Sequence, residues 1–539
     1  MSKAKRQAKQ EERNAKLLDG VLSGKVTIEL YEPKKKSSQA NRKGGAAPTE
    51  EEEKEMTGRY ARILRKLLPG IMVKLSQLED PRDPGKVRYS LPMLMLFGIL
   101  MFLSHCPSRR SANRNIAHNN LLRLVEEFVP GVKEMPHADT LARLLKDIDV
   151  EGIDRNYEGM IEGFISTGRF KEIQKGPFRV AFDGTQKFSR RYEWDARALS
   201  RNAGDEEKER YYVYVLESVL ILDNGMILPL LTEILENGCA VQDAPAKAGD
   251  KPAPAGNQGN KDNKKAEVGE LAHKQDCETK AFYRLTERLV KLLGKGCVSL
   301  VMDGIYATGP VISRCNEYAW DYMIVLKSES LKTVWEDFNG LRKIEPENTK
   351  QIQYGERRQE YHWSNGLEYI YGRNNKRLSL NLVTCTETWI EEHERSGKKP
   401  KKMKTEYAWL SSKRVTTDNV FELCTIIARS RWRIENLFHI VKHQGYNYTH
   451  CYSYNWNAMK GFHYLMKFGL FINVIIAYSV DLSTYVQAEG LRGFIQTIWK
   501  KLTEGKWPPC EIIECKQKGV SAASVNWKKI KYPPLIKAA

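Results

Sequence analysis

The spacing of apolar and polar positions divides the chain into stretches of different period. Residues 1–55 hold few apolar side chains and much charge, lysine and arginine up to Lys43 and then the acidic run Glu50–Glu53. That composition predicts a flexible or loosely helical arm. Helical spacing rules from 56 to 170. Arg59–Leu68 repeats apolar residues on one face, Leu91–Leu103 is continuously apolar, and Thr140–Ile153 is amphipathic. His137-Ala138-Asp139-Thr140 supplies N-cap chemistry ahead of that last helix.

The period changes at 178. Phe178–Asp183 is a short β run that ends in a carboxylate. Tyr211–Leu222 and Met226–Leu231 are β-prone and flank Asp223-Asn224-Gly225, a hairpin signal that leaves Asp223 to turn chemistry. Residues 238–270 are mainly Ala, Pro, Gly, Lys and Asn, and predict a flexible insertion. A helix over Asp276–Leu293, an apolar strand over Cys297–Met302 ending in Asp303-Gly304, a helix near Pro310–Glu317 and a strand at Tyr322–Leu326 follow. Residues 328–415 alternate as β segments at Gln351–Trp363, Leu367–Tyr371 and Leu378–Thr384, with a basic loop at Lys398–Lys404. Helical spacing returns at Val420–His443 and Ala458–Tyr478, and the lysine-rich stretch after 498 reads as extended or loosely packed.

Composition narrows the class. Eighty-six lysines and arginines against 67 acids give a net charge of +19 over 539 residues, with pI near 9.3. Such a balance suggests a polyanionic partner, nucleic acid before others, although a merely soluble basic protein carries the same arithmetic. The ten cysteines are scattered without a CxxC pair, as expected in a reducing compartment. Residues 1–16 are polar and basic with no apolar run behind them. Leu91–Leu103 and Phe468–Val480 fall short of the ~20 residues of a membrane span. The expectation is a soluble, cytoplasmic protein with no membrane partner. Without a Gly-rich phosphate loop, an ATP-dependent mechanism lacks support.

The order strand, hairpin, helix, strand, helix, strand, then an interruption closed by a helix, is the connectivity of a ribonuclease-H-like core. The predicted fold class is therefore α/β, a mixed sheet flanked by helices, with a β-rich insertion and a helical N-terminal domain. Asp183 ends the first strand and Asp303 the fourth, so the two carboxylates converge at one edge. Adjacent acids repel, and a divalent cation relieves them; an all-oxygen site suits Mg²⁺. Glu435 is the best third acid. At ~100° per residue Arg431, Glu435 and Lys442 share one helical face, which taken alone also fits a surface ion-pair stripe. His439 and His443 share that face too, but without an HExxH pattern they make a weak zinc pair. Asp276 and Glu278 open a helix, where acids favour the N-terminal dipole. The Lys398–Lys404 strip fits a DNA backbone or a solvated loop equally.

Ala181-Phe182-Asp183-Gly184-Thr185, Val301-Met302-Asp303-Gly304 and the segment Arg431 to Lys442 resemble a DDE transposase of the insertion-sequence 4 type, a large bacterial class. Arg431, Glu435 and Lys442 fall in register with that family's signature, whereas its tyrosine position holds Ala428. The resemblance spans about 178–480. It implies Asp183, Asp303 and Glu435 as catalytic metal ligands for two Mg²⁺ ions, with Mn²⁺ as a substitute. It also implies Arg431 and Lys442 on phosphates, an insertion tryptophan (Trp363 or Trp389) holding a flipped base, and a homodimer on paired double-stranded DNA ends. The expected plan is an arm at 1–55, a helical DNA-binding domain at 56–170, a catalytic core at 171–327 and 416–480, the insertion at 328–415, and a lysine-rich end at 481–539. The rival readings are a nuclease of the same fold that cuts without joining, a non-catalytic DNA-binding descendant, and, more weakly, an RNA-binding protein.

Overall fold

The computed structural model describes residues 48–201, 209–238, 276–391 and 401–508. Most of the arm 1–55, all but the first residue of the insertion 238–270, the start of the Lys398–Lys404 strip and the end of the C-terminal region lie outside the described residues.

The helical unit opens with α1 (Glu50–Leu75). Thr49 and Glu52 form a capping box, the Glu52 amide donating to the Thr49 hydroxyl at 3.2 Å and the Thr49 amide to Glu52 Oε2 at 2.8 Å. The acidic run Glu50–Glu53 is thus the first helical turn, where the dipole favours negative charge, rather than part of the arm. Then come α2 (Leu91–Leu103), α3 (Arg109–Asn115), α4 (Leu122–Phe128), α5 (Ala138–Asp147), α6 (Val150–Ser166) and α7 (Arg169–Ile173). The stretch expected to be one helix over Thr140–Ile153 is two. Ile148 is extended, and Asp149 caps α6 by accepting from the Gly152 amide at 3.0 Å.

Strands β1 (Phe178–Arg190), β2 (Leu199–Arg201), β3 (Arg210–Ile221) and β4 (Ile227–Ile234) precede α8 (Glu278–Leu293) and β5 (Val298–Met302). A single 3-10 turn at Gly304–Tyr306, α9 (Gly309–Glu317), β6 (Asp321–Val325) and α10 (Lys332–Ile344) follow. The insertion supplies β7 (Thr349–Tyr354), β8 (Arg357–Tyr371), β9 (Lys376–Glu391) and β10 (Lys401–Ser411). All ten strands form one sheet in the order β2-β3-β1-β5-β6-β10-β9-β8-β7, with β4 on β3. β1 runs antiparallel to β3 and parallel to β5, and β5 runs parallel to β6, so the expected ribonuclease-H-like mixed sheet is present. Antiparallel pairing of β10 with β6, from Trp409↔Val325 to Ser411↔Met323, makes the insertion a continuation of that sheet.

The chain closes through α11 (Arg433–His443), α12 (Trp456–Tyr478) and α13 (Ser483–Thr503). By length and composition α12 could cross a membrane, but most of it is buried inside the protein. Its Gly469 lies against α2: a Cβ there would stand 2.7 Å from Phe102 Cβ and 3.1 Å from the Leu103 amide. The N-terminal helices and α12 therefore share one core. Residues 498–503, expected to be loose, belong to α13. Ile495, Ile498, Trp499 and Leu502 recur at helical spacing and are buried.

Candidate active site

β1 and β5 pair in parallel from Phe178↔Val298 to Ala181↔Val301. Asp183 and Asp303 each lie two residues beyond that last pair, and Asp303 keeps an extended backbone (φ −75°, ψ 167°). Neighbouring strands are about 5 Å apart, so the two carboxylates leave the sheet side by side. Asp183 is half-buried. Burial pushes its pKa up to about 6 against the pull of Arg431, and the negative charges of Glu278 and Glu435 add to the rise. Asp303 is more open, and Lys327 Nζ stands 3.7 Å from its Oδ2.

The third acid arrives on an irregular helix. A π turn at Glu422–Ile427 and a 3-10 turn at Ala428–Trp432 precede α11, one widening the spiral and the other tightening it. The i to i+4 relation survives: Arg431 Nη2 donates to Glu435 Oε1 at 3.1 Å. Two turns on, Lys442 Nζ donates to Thr185 Oγ1 at 2.6 Å. Thr185 shares the β1 face of Asp183, since side chains two apart point the same way. Burial lowers the Lys442 pKa while Asp183 pulls it back up. Arg431, Glu435 and Lys442 thus all stand beside Asp183. Ala428, at the family's tyrosine position, is buried.

Residues 275–471 match the family model described as Transposase DDE domain, and residues 72–159 match the one described as DDE_Tnp_1-associated. Together they cover just over half of the chain. The chain belongs to the DDE transposase family. No curated protein matches it. Asp303, Glu435, Arg431 and Lys442 lie within the matched DDE domain, whereas Asp183 lies between the two matched segments. DDE transposases act on DNA and generally use divalent metal ions.

The donor set of this DDE transposase fits such ions in kind. Asp183, Asp303 and Glu435 offer only hard oxygen, and a cation would offset the burial and the neighbouring negative charges that raise the Asp183 pKa. Among the described residues no three acidic, His or Cys side chains yet meet around one point. Lys327 and Arg431 hold Asp303 and Glu435, so closure on an ion needs side-chain rotation.

Other anticipated residues fall elsewhere. Trp363 on β8 is 3 % exposed, packed in the core, and a buried ring has no face to offer a base. Trp389 on β9 is part-exposed, with the Arg357 guanidinium 4.2 Å above its ring. His439 and His443 touch through their rings at 5.1 Å. Asp276 is ion-paired with Arg284 at 2.6 Å, and Asp223 with Arg179 at 3.3 Å. Glu278, read from sequence as a helix-dipole acid, instead stands close to Asp183, accepting from Tyr214 and Tyr306. No local signal marks it, because those partners are 64 and 28 residues away.

Proposed function

We propose that this DDE transposase, of the insertion-sequence 4 type, cuts phosphodiester bonds at the ends of a mobile DNA element and joins the freed 3′-OH to target DNA. The observation that carries the reading is the matched placement of Asp183 and Asp303, each two residues past the last β1–β5 pair, Ala181 and Val301, with Glu435 brought near Asp183 by α11. Asp183, Asp303 and Glu435 would hold two Mg²⁺ ions, with Mn²⁺ as a substitute. Bound there, such ions activate water and stabilise a leaving 3′ oxygen. Arg431 and Lys442 offer fixed positive charge beside the acids, suited to the phosphates on either side of the scissile bond. Lys442 is already oriented by Thr185. The helices before 170 and the basic ends would recognise the element's ends, and a homodimer would pair two of them.

A strand-transfer assay with a precleaved element end tests this. Joining that requires a divalent ion and disappears in Asp303→Asn is the expected result. Cutting without joining would make the protein a nuclease of the same fold. DNA binding without either step would make it a non-catalytic descendant.

A further inference from the structure

A fourth carboxylate reaches the same site from the opposite side of the sheet. Asp183 and Thr185 face α11, so Phe182 and Gly184 face α8. The Phe182 ring accordingly meets Phe282 of α8 at 5.3 Å. A Cβ on Gly184 would clash with Glu278 Oε2, and the Tyr214 hydroxyl would be 2.5 Å from that same Cβ. Only glycine leaves room there for the carboxylate to lie against the backbone next to Asp183.

An acid favoured only by the helix dipole needs no partner and usually points to water. Glu278 is instead half-buried and doubly engaged. Tyr306 OH donates to its Oε1 at 2.7 Å, and Tyr214 OH donates to its Oε2 at 3.1 Å. Tyr306 is fully buried and closes the turn that follows Asp303, its amide donating to the Asp303 carbonyl at 3.0 Å. Tyr214 sits on β3, in register with Gln186 of β1. One carboxylate thus ties the start of α8 to the strand of the first aspartate and to the turn of the second.

We propose that Glu278 is a positioning residue of the metal centre, fixing the Asp303 turn through Tyr306 and the Asp183 strand through Tyr214 and Gly184. This rests on the metal-site reading above. With Glu278 changed to an amide, one tyrosine hydroxyl faces an N–H donor and the three-way tie opens. The Asp303 side chain then starts from a less defined turn, so the carboxylate is less well placed to rotate onto an ion.

The test is direct Mn²⁺ binding to the full-length protein, by electron paramagnetic resonance or calorimetry, alongside the Mn²⁺ concentration giving half-maximal cleavage. Glu278→Gln and Tyr306→Phe should each weaken Mn²⁺ binding by about 10-fold or more. Both should raise the ion concentration needed for cleavage, while Glu287→Gln on the same helix changes neither. Should Glu278→Gln fail to fold, Tyr306→Phe, which removes a single oxygen atom, decides alone. Wild-type Mn²⁺ binding in both variants would overturn the proposal and return Glu278 to a helix-end acid. Loss in Glu278→Gln with full binding in Tyr306→Phe would also overturn it, because Glu278 would then act directly. Absence of Mn²⁺ binding in the wild type, or its persistence in Asp303→Asn, would strike the metal-site reading itself.

Discussion

Asp183 and Asp303 occupy equivalent positions on two parallel strands, each two residues past the registered pair Ala181 and Val301. Under the metal-site proposal, two acids set side by side in this way would serve one ion jointly, so their effects should not add. Asp183→Asn and Asp303→Asn should each lower DNA cleavage by more than about 100-fold. The double variant should be little worse than either single one. Rates on a labelled element end measure this. Multiplied losses would show that the two carboxylates act at separate places.

Asp183 sets a pH dependence whose sign follows from its raised pKa. The unfolded chain ionises this group near 3.8, whereas burial holds the proton up to about 6 in the folded state. Between those values the folded state binds the extra proton, so this group's contribution to stability falls as pH rises from about 4 to about 6, and is flat above. A divalent ion must displace the same proton. Apparent Mn²⁺ affinity should therefore climb about tenfold per unit below pH 6 and level off above it. Titrations at pH 5, 6 and 7.5 check the profile, and one that is flat across the three would refute it. In Asp183→Asn this group's share of the stability slope should vanish.

How far the chain discloses its fold and site depends on whether the cause is local. Asp183 and Asp303 are legible because each closes a short apolar run; Asp303 does follow β5 directly, whereas β1, expected to end at Asp183, continues to Arg190 in pairing with β3. Glu435 was visible through the spacing Arg431, Glu435, Lys442. That spacing holds because the π turn ends before Arg431 and regular α-helix runs from Arg433 to His443, leaving the i to i+4 contact in place. Glu278 stayed hidden, since an acid in a first helical turn already has a sufficient local reason. Trp363 stays open between a core ring and a base contact for a related cause: alternation places a side chain on one face of β8, but only the packed sheet shows that this ring is covered. The pairing of β6 with β10 likewise joins segments some 85 residues apart, which no local pattern encodes.

Lys442 should behave as a phosphate contact. Its ammonium is pinned to Thr185 beside the acids, where a DNA backbone would have to pass. Lys442→Ala should weaken DNA binding and lower the slope of log affinity against log salt by about 1. Lys413→Ala, which removes a partner of Asp321 at 2.9 Å on the neighbouring strand, should leave that slope unchanged. Binding isotherms at several salt concentrations distinguish them, and equal slopes for wild type and Lys442→Ala would remove Lys442 from the interface.

Glu217 is the direct cross-strand neighbour of Asp183, yet it should prove structural and not part of the metal centre. Its carboxylate is already engaged: Thr232 donates at 2.6 Å, Tyr448 OH at 3.0 Å, and His463 Nε2 stands 3.4 Å away. Burial pushes its pKa up, but His463, Lys467 and Thr232 outweigh that and bring it down to about 2. Burial also holds His463 near 4, so the imidazole is neutral at neutral pH and the countercharge rests on buried Lys467 and Lys187. A depressed carboxylate stabilises the fold above the ordinary range near 4.5, and this support is lost as pH falls toward 2. Glu217→Gln keeps the shape but leaves the buried Lys187 ammonium without its anion, while Lys467 keeps Asp154 at 3.7 Å, at a cost of about 3 kcal/mol. The urea midpoint at pH 7 should drop accordingly, and the wild type's loss of stability in acid should be blunted in the variant. Mn²⁺ affinity of the folded variant should match the wild type. An unchanged midpoint with weakened Mn²⁺ binding would instead place Glu217 among the ligands.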